Sequence, residues 1–181
     1  MSEADRQRWQ QRHREPREAP PRPTVGWLGR SRGVALDVAC GQGRHTLALL
    51  ELGYHVVGVD IARIALERLR ARLPREAPVL LVEADLDMWP FARDALDVVV
   101  MIDFLDRSVI EHVRSSVRPG GRVLVDTFLY DPAAPTTKGP SNPDYRLRIG
   151  ELDEMFADWT VLERATFPGD GPRDAILARR P

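Results

Sequence analysis

The sequence predicts an α/β fold: a doubly wound, seven-stranded, mostly parallel sheet that ends in a C-terminal antiparallel hairpin. Three observations carry this. Short apolar runs alternate with helix-periodic segments from about residue 33 to residue 129. Those runs have the length and flanks of strands buried on both faces. The last two runs are separated only by Pro168-Gly169-Asp170-Gly171-Pro172, too short for a crossover helix, so they must pair antiparallel.

The elements follow in order. Val34 to Ala39 is the first strand, and Leu47 and Leu50 lie one turn apart in the helix after it. Gly53 stands where a left-handed residue closes a helix. His55 to Ile61 is the second strand, and Ala62 to Leu73 its helix, with Ile64, Leu66 and Leu69 apolar among arginines. Val79 to Ala84 and Leu96 to Ile102 are the third and fourth strands. The next helix carries Val109, Val113 and Val117 on one face, and Ser108 with Glu111 as a capping-box candidate. Pro119-Gly120-Gly121 turns into a fifth strand, Arg122 to Leu129. A proline-rich loop covers 131–143, and a short helix begins near Gly150 with Leu152, Met155 and Phe156 on one side. Trp159 to Phe167 and Ala175 to Arg179 form the terminal hairpin.

Two units are expected: an N-terminal appendage over 1–24, flexible or a lid, and a domain over 25–181. Pro16, Pro20, Pro21 and Pro23 bar a long helix in the appendage, whose one large apolar residue is Trp9. Its polarity does not fit a signal peptide, and no run approaches the ~20 apolar residues of a membrane span. A net charge of -1 supplies no field to draw in nucleic acid or an anionic membrane. The lone cysteine, Cys40, precludes an internal disulfide and fits the cytoplasm. Lys138 is the only lysine and Arg44 follows Gly43, so a P-loop reading lacks its phosphate-gripping lysine.

The segment Asp37-Val38-Ala39-Cys40-Gly41-Gln42-Gly43 concentrates the chemistry. Glycines between a strand and a helix let a ligand approach the backbone, and the helix start offers free N–H groups. Asp60 ends the second strand, where a carboxylate can accept both hydroxyls of a ribose. Asp85 follows the third strand, beside an adenine-sized site that Leu86 would cover. Asp37 lies inside the first strand, where an unpaired carboxylate is costly, so partners are expected for it. Each acid alone also fits a solvated or capping role; the three at successive strand ends are much harder to explain that way. Cys40 has no histidine near it in sequence and reads as a packed small residue. His13, His45, His55 and His112 show no metal-ligand spacing, and no metal site is expected. Among them His45, beside the glycine loop, is the one to test. Trp27, Trp89 and Trp159 read as packing residues.

Taken together, Leu36-Asp37-Val38-Ala39-Cys40-Gly41-Gln42-Gly43-Arg44 resembles the first motif of the class I, seven-stranded S-adenosylmethionine-dependent methyltransferases. Val57-Gly58-Val59-Asp60-Ile61 is similar to their second-strand acid motif. Ala84-Asp85-Leu86, Trp89-Pro90-Phe91, Leu96-Asp97-Val98-Val99-Val100 and Arg118-Pro119-Gly120-Gly121 resemble their later motifs, over roughly 33–181. The small bacterial tellurite-resistance-type subgroup is the nearest in flavour. The resemblance implies S-adenosylmethionine as cofactor and S-adenosylhomocysteine as product. It also implies roles. Gly41 and Gly43 bend around the methionine moiety, and Asp37 anchors the loop or the amino group. Asp60 takes the ribose hydroxyls with Ile61 against adenine. Asp85 contacts the adenine amine beside Leu86. Ile102 and Asp103 line the methyl-donor end, and Arg44 pairs with the cofactor carboxylate or stays on the surface. The family often has glycine where this chain has Ala39, which alanine tolerates if φ there is negative.

Methyl transfer from a sulfonium is an in-line displacement, for which alignment and a dry pocket suffice unless the nucleophile must lose a proton. No catalytic residue is therefore assigned. The expected partner is a small-molecule acceptor, with nucleic acid and membrane disfavoured. Two other readings stand beside this one. A non-catalytic, cofactor-binding module could keep the fold and the cofactor, or have lost both. A nicotinamide-dependent oxidoreductase would need a third loop glycine where Thr46 stands, and leaves Asp37, Asp85 and the hairpin unexplained.

Overall fold

The computed structural model describes residues 3–130, 132 and 138–181. Part of the proline-rich loop read over 131–143, namely 131 and 133–137, lies outside the described residues. The strands are β1 (Val34–Val38), β2 (His55–Asp60), β3 (Val79–Glu83), β4 (Leu96–Ile102), β5 (Val117–Phe128), β6 (Thr160–Phe167) and β7 (Arg173–Arg179). The helices are α1 (Glu3–Arg12), α2 (Arg44–Glu51), α3 (Arg63–Arg72), α4 (Arg107–Ser116) and α5 (Glu151–Met155). The sheet order is β3-β2-β1-β4-β5-β7-β6. β1 to β5 run parallel, and β7 pairs antiparallel with both β5 and β6. The expected architecture is the one observed.

Period-two alternation divides the continuous apolar runs between two faces. Leu36, Val38, Val99 and Met101 point to the face covered by α4 and α5, with Val109, Val113 and Phe156. Ala35, Val98, Val100 and Ile102 point to the other face, with Leu49, Tyr54, Val25 and Leu28. Val25 and Leu28 belong to a 3-10 turn over Pro23–Leu28 that residue patterning did not anticipate. Its proline start fixes φ at the first turn, and the two apolar side chains anchor the end of the appendage under the sheet.

Three local readings change. The α4 cap is Asp106, whose side chain accepts from the Ser108 N–H, rather than Ser108 itself. β5 begins at Val117: Leu96 pairs with Val117 and Val98 with Arg122, so the Pro119-Gly120-Gly121 turn is a bulge within the strand. β7 starts two residues before Ala175, at Arg173, which places that arginine inside the sheet. Gly53 has φ 94°, as a helix-closing residue should.

Candidate functional site

The chain leaves β1 toward β2 and β3, then returns to β4 on β1's other side. This reversal opens a crevice beyond the C-terminal strand ends, where ligands bind in open α/β sheets. A cavity of about 330 Å³ lies there, a volume suited to a small ligand. Gly41, Gly43, Arg44, Asp60, Ile61, Leu86, Ile102 and Asp103 all line it. Asp37 and Asp85 do not.

The loop between β1 and α2 needs its glycines. Gly41 (φ 54°) and Gly43 (φ 81°) both sit in the left-handed region. A Cβ on Gly43 would also overlap the Leu69 side chain of α3. Ala39 has φ 53°, so the negative φ under which alanine is tolerated is not met and alanine occupies a strained position here.

Asp60, 7% exposed, holds this loop to the end of β2. Its Oδ2 accepts the Gly41 N–H at 2.7 Å, and its Oδ1 accepts the Ala62 N–H at 2.8 Å. Burial pushes its carboxyl up from the usual range, and the N–H groups of Ala62 and Gly41 oppose the rise. Asp37 is fully buried in β1, and its Oδ2 accepts from Thr46 Oγ1 at 2.6 Å. It therefore ties β1 to α2 and is not among the cavity-lining residues. Burial raises it to about 7, against the opposing hydrogen bond from Thr46. Asp85 closes an Asx turn, its Oδ1 accepting the Asp87 N–H at 3.1 Å, and stands outside the cavity lining that Leu86 joins.

Arg44 pairs with Asp103, and both reach the cavity. His45 is buried, its Nε2 has no hydrogen-bond partner, and burial with Arg44, Arg22 and Arg173 nearby lowers it to about 3. The ring is thus neutral at physiological pH. Cys40 is buried, which pushes its thiol up and leaves it an inert packing residue. Among the described residues no three of His, Cys, Asp and Glu gather as a metal site.

The appendage is part of the site. α1 packs on α3, with Gln10 Oε1 accepting the Ile64 N–H at 3.1 Å. Arg68 donates from Nε to the His13 carbonyl at 3.0 Å. Gln42, between the two loop glycines, donates to the Glu15 carbonyl at 2.8 Å and accepts the Arg17 N–H at 2.9 Å. Trp9, Arg12, His13 and Arg17 consequently line the cavity. His13 Cε1 lies 3.3 Å from where a Gly41 Cβ would stand, so only glycine admits the ring there without displacement. Burial lowers the His13 pKa, while Asp60 opposes the shift. Sequence reading passed over these residues, although Trp9 and His13 share a face at i, i+4 spacing.

The cavity fits a nucleoside bearing an amino-acid tail. It offers a strand-end carboxylate, apolar walls in Ile61 and Leu86, and a loop open to a close backbone approach.

Comparison with known proteins agrees. A family model described as a methyltransferase domain matches residues 35–121. The chain is 34% identical over 110 residues to a demethylmenaquinone methyltransferase of Clavibacter sepedonicus, covering 58% of this chain and 44% of the relative. It is 36% identical over 89 residues to a tRNA (guanine-N(7)-)-methyltransferase of Mycobacterium avium strain 104, covering 42% of this chain and 34% of the relative. The chain thus spans less than half the length of these curated relatives. The crystal structure of TehB from Haemophilus influenzae superposes with TM-score 0.73 at 24% identity, covering 83% of this chain and 58% of that one. No helix among the described residues is long and apolar enough to cross a membrane. Motif order and sheet topology agree with the family match, and residues 35–121 of the chain are similar to a methyltransferase domain on the seven-stranded fold.

Proposed function

We propose that this protein binds S-adenosylmethionine in the cavity and transfers its methyl group to a small-molecule acceptor, in the cytoplasm. The observation that carries the reading is Asp60. Its carboxylate is fixed by the Gly41 and Ala62 N–H groups at the end of β2, and it lines the cavity with Ile61. A carboxylate held this way keeps lone pairs free for a ribose diol. Gly41 and Gly43 give the methionine moiety access to the backbone, and Leu86 covers the adenine face. Asp85, at the turn after β3, stands on the adenine side. Ile102 and Asp103 flank the methyl end, and Asp37 holds α2 in place through Thr46.

The bound cofactor supplies an electrophilic methyl group on a sulfonium. The chain contributes alignment and exclusion of water. Trp9 and His13 close one wall, and Gln42 fixes their segment to the loop. His13 and His45 are both held toward the neutral form. Neither is assigned as a base, since an acceptor that is already nucleophilic needs none. The curated relatives include methyltransferases named for a quinone and for tRNA. The cavity volume of about 330 Å³ and the net charge of -1 favour a small acceptor here.

The test is transfer of label from methyl-labelled S-adenosylmethionine to a panel of small metabolites and to bulk tRNA. Labelled small product with stoichiometric S-adenosylhomocysteine is expected. Label confined to tRNA would overturn the acceptor class.

A further inference from the structure

At the methyl-donor end of the cavity three guanidinium groups meet two carboxylates. Arg22 comes from the segment before Pro23, Arg44 from the start of α2, and Arg173 from the start of β7. Arg22 Nη2 donates to Asp103 Oδ1 at 3.2 Å, and Arg44 pairs with Asp103 Oδ2. Arg173 Nε donates to Asp126 Oδ1 at 2.8 Å, while Thr24 Oγ1 donates to Asp126 Oδ2 at 2.7 Å. Arg173 Nη1 lies 2.6 Å from Asp103 Oδ1 without the angle of a hydrogen bond.

Among the described residues three positive charges meet two negative ones, an excess of one, at a place where Arg173 is buried and Arg22, Arg44 and Asp103 are partly exposed. The excess is felt. After burial itself, Arg22 and Arg173 are the leading causes that depress Arg44, and Arg173 likewise depresses Arg22. Among the described residues, buried Arg22 Nε has no hydrogen-bond acceptor, and Arg173 Nη1 has only the off-line contact with Asp103 Oδ1. An excess charge and an unused donor at a partly buried place carry a desolvation cost, and a bound anion removes it.

We propose that the Arg22–Arg44–Arg173 cluster is a carboxylate subsite, so that the methyl acceptor is an organic monoacid held by its carboxylate beside Asp103. This rests on the cavity being the S-adenosylmethionine site. A single excess charge matches a monoanion better than a phosphate dianion. Planar guanidinium forks arriving from three elements suit a carboxylate's two oxygens. Asp103 and Arg44 line the cavity, which places the subsite within reach of the methyl end. The cofactor's own carboxylate is the same chemistry from another source.

The experiment separates the two sources. Wild-type protein saturated with S-adenosylhomocysteine is titrated with three acid–amide pairs: acetate and acetamide, benzoate and benzamide, phenylacetate and phenylacetamide. At least one acid should bind about tenfold more tightly than its amide. Arg22→Gln should abolish that preference and leave S-adenosylhomocysteine affinity unchanged. Arg22→Lys, which keeps the charge and loses the fork, should retain only part of it. No acid preference in any pair, or a preference intact in Arg22→Gln, overturns the proposal. If Arg22→Gln instead weakens S-adenosylhomocysteine but not 5′-methylthioadenosine, the carboxylate is the cofactor's and the acceptor assignment is overturned. If wild type binds no S-adenosylhomocysteine, the cofactor reading fails first, and the same acid–amide pairs on the free protein decide the subsite by themselves.

Discussion

Asp60 Oδ2 accepts the backbone N–H of Gly41 at 2.7 Å, joining the end of β2 to the glycine loop of β1. One carboxylate thereby shapes the loop and faces the cavity. Asp60→Ala should weaken S-adenosylhomocysteine binding by ~1–3 kcal/mol through lost charge-assisted hydrogen bonds. It should also lower the melting temperature of the ligand-free protein, because the Gly41 and Ala62 N–H groups lose their acceptor. Calorimetry and thermal unfolding read the two effects. Unchanged affinity in a folded variant means the ribose lies elsewhere.

Gln42 clips the appendage to the loop by its two hydrogen bonds to residues 15 and 17. Gln42→Ala should lower the opening free energy of that segment by roughly 1–2 kcal/mol, for two partly exposed hydrogen bonds. Amide exchange at Arg17 and tryptic cleavage after Arg12 and Arg14 should accelerate. Equal exchange in both proteins would show that α1 alone holds the segment.

Asp37 and His45 titrate in opposite senses. Asp37 is raised to about 7, so the folded state binds the proton more tightly and Asp37 lowers stability as pH rises from about 4 to 7. His45 is lowered to about 3, so its contribution is present above the unfolded value of about 6.5 and is lost as pH falls from there toward 3. The two slopes oppose each other across pH 4–6.5. Relative to wild type, Asp37→Asn should gain stability as pH rises through that window, and His45→Gln should lose it. Denaturant midpoints measured across pH decide this; parallel curves for all three proteins contradict it.

Much of this was legible in the sequence. Strand runs such as Val98-Val99-Val100 and the acids Asp37 within β1 and Asp60 ending β2 are local patterns, and one period sets the faces of the apolar runs. Asp37 was readable as a buried acid with partners, and one of them is Thr46, nine residues on in α2. What escaped is long-range. His13 meets Gly41, and Arg173 meets Asp103 and Asp126, only because α1 docks on α3 and β7 inserts between β5 and β6. No sequence period records such meetings.

Ala39 illustrates a different limit, since residue type does not report φ. At φ 53° its Cβ is strained. Ala39→Gly should stabilise the protein by roughly 0.5–1 kcal/mol, the relief of left-handed strain less the entropy glycine adds to the unfolded chain. A destabilised variant, read from the denaturant midpoint, would mean that the Ala39 methyl contributes more packing than strain.

The most direct measurement is calorimetric titration of the wild-type protein at neutral pH with S-adenosylmethionine, S-adenosylhomocysteine and NAD. Saturable one-site binding of the first two, with none of NAD, is the predicted result. Preference for NAD, or no binding of either sulfur ligand, would contradict it.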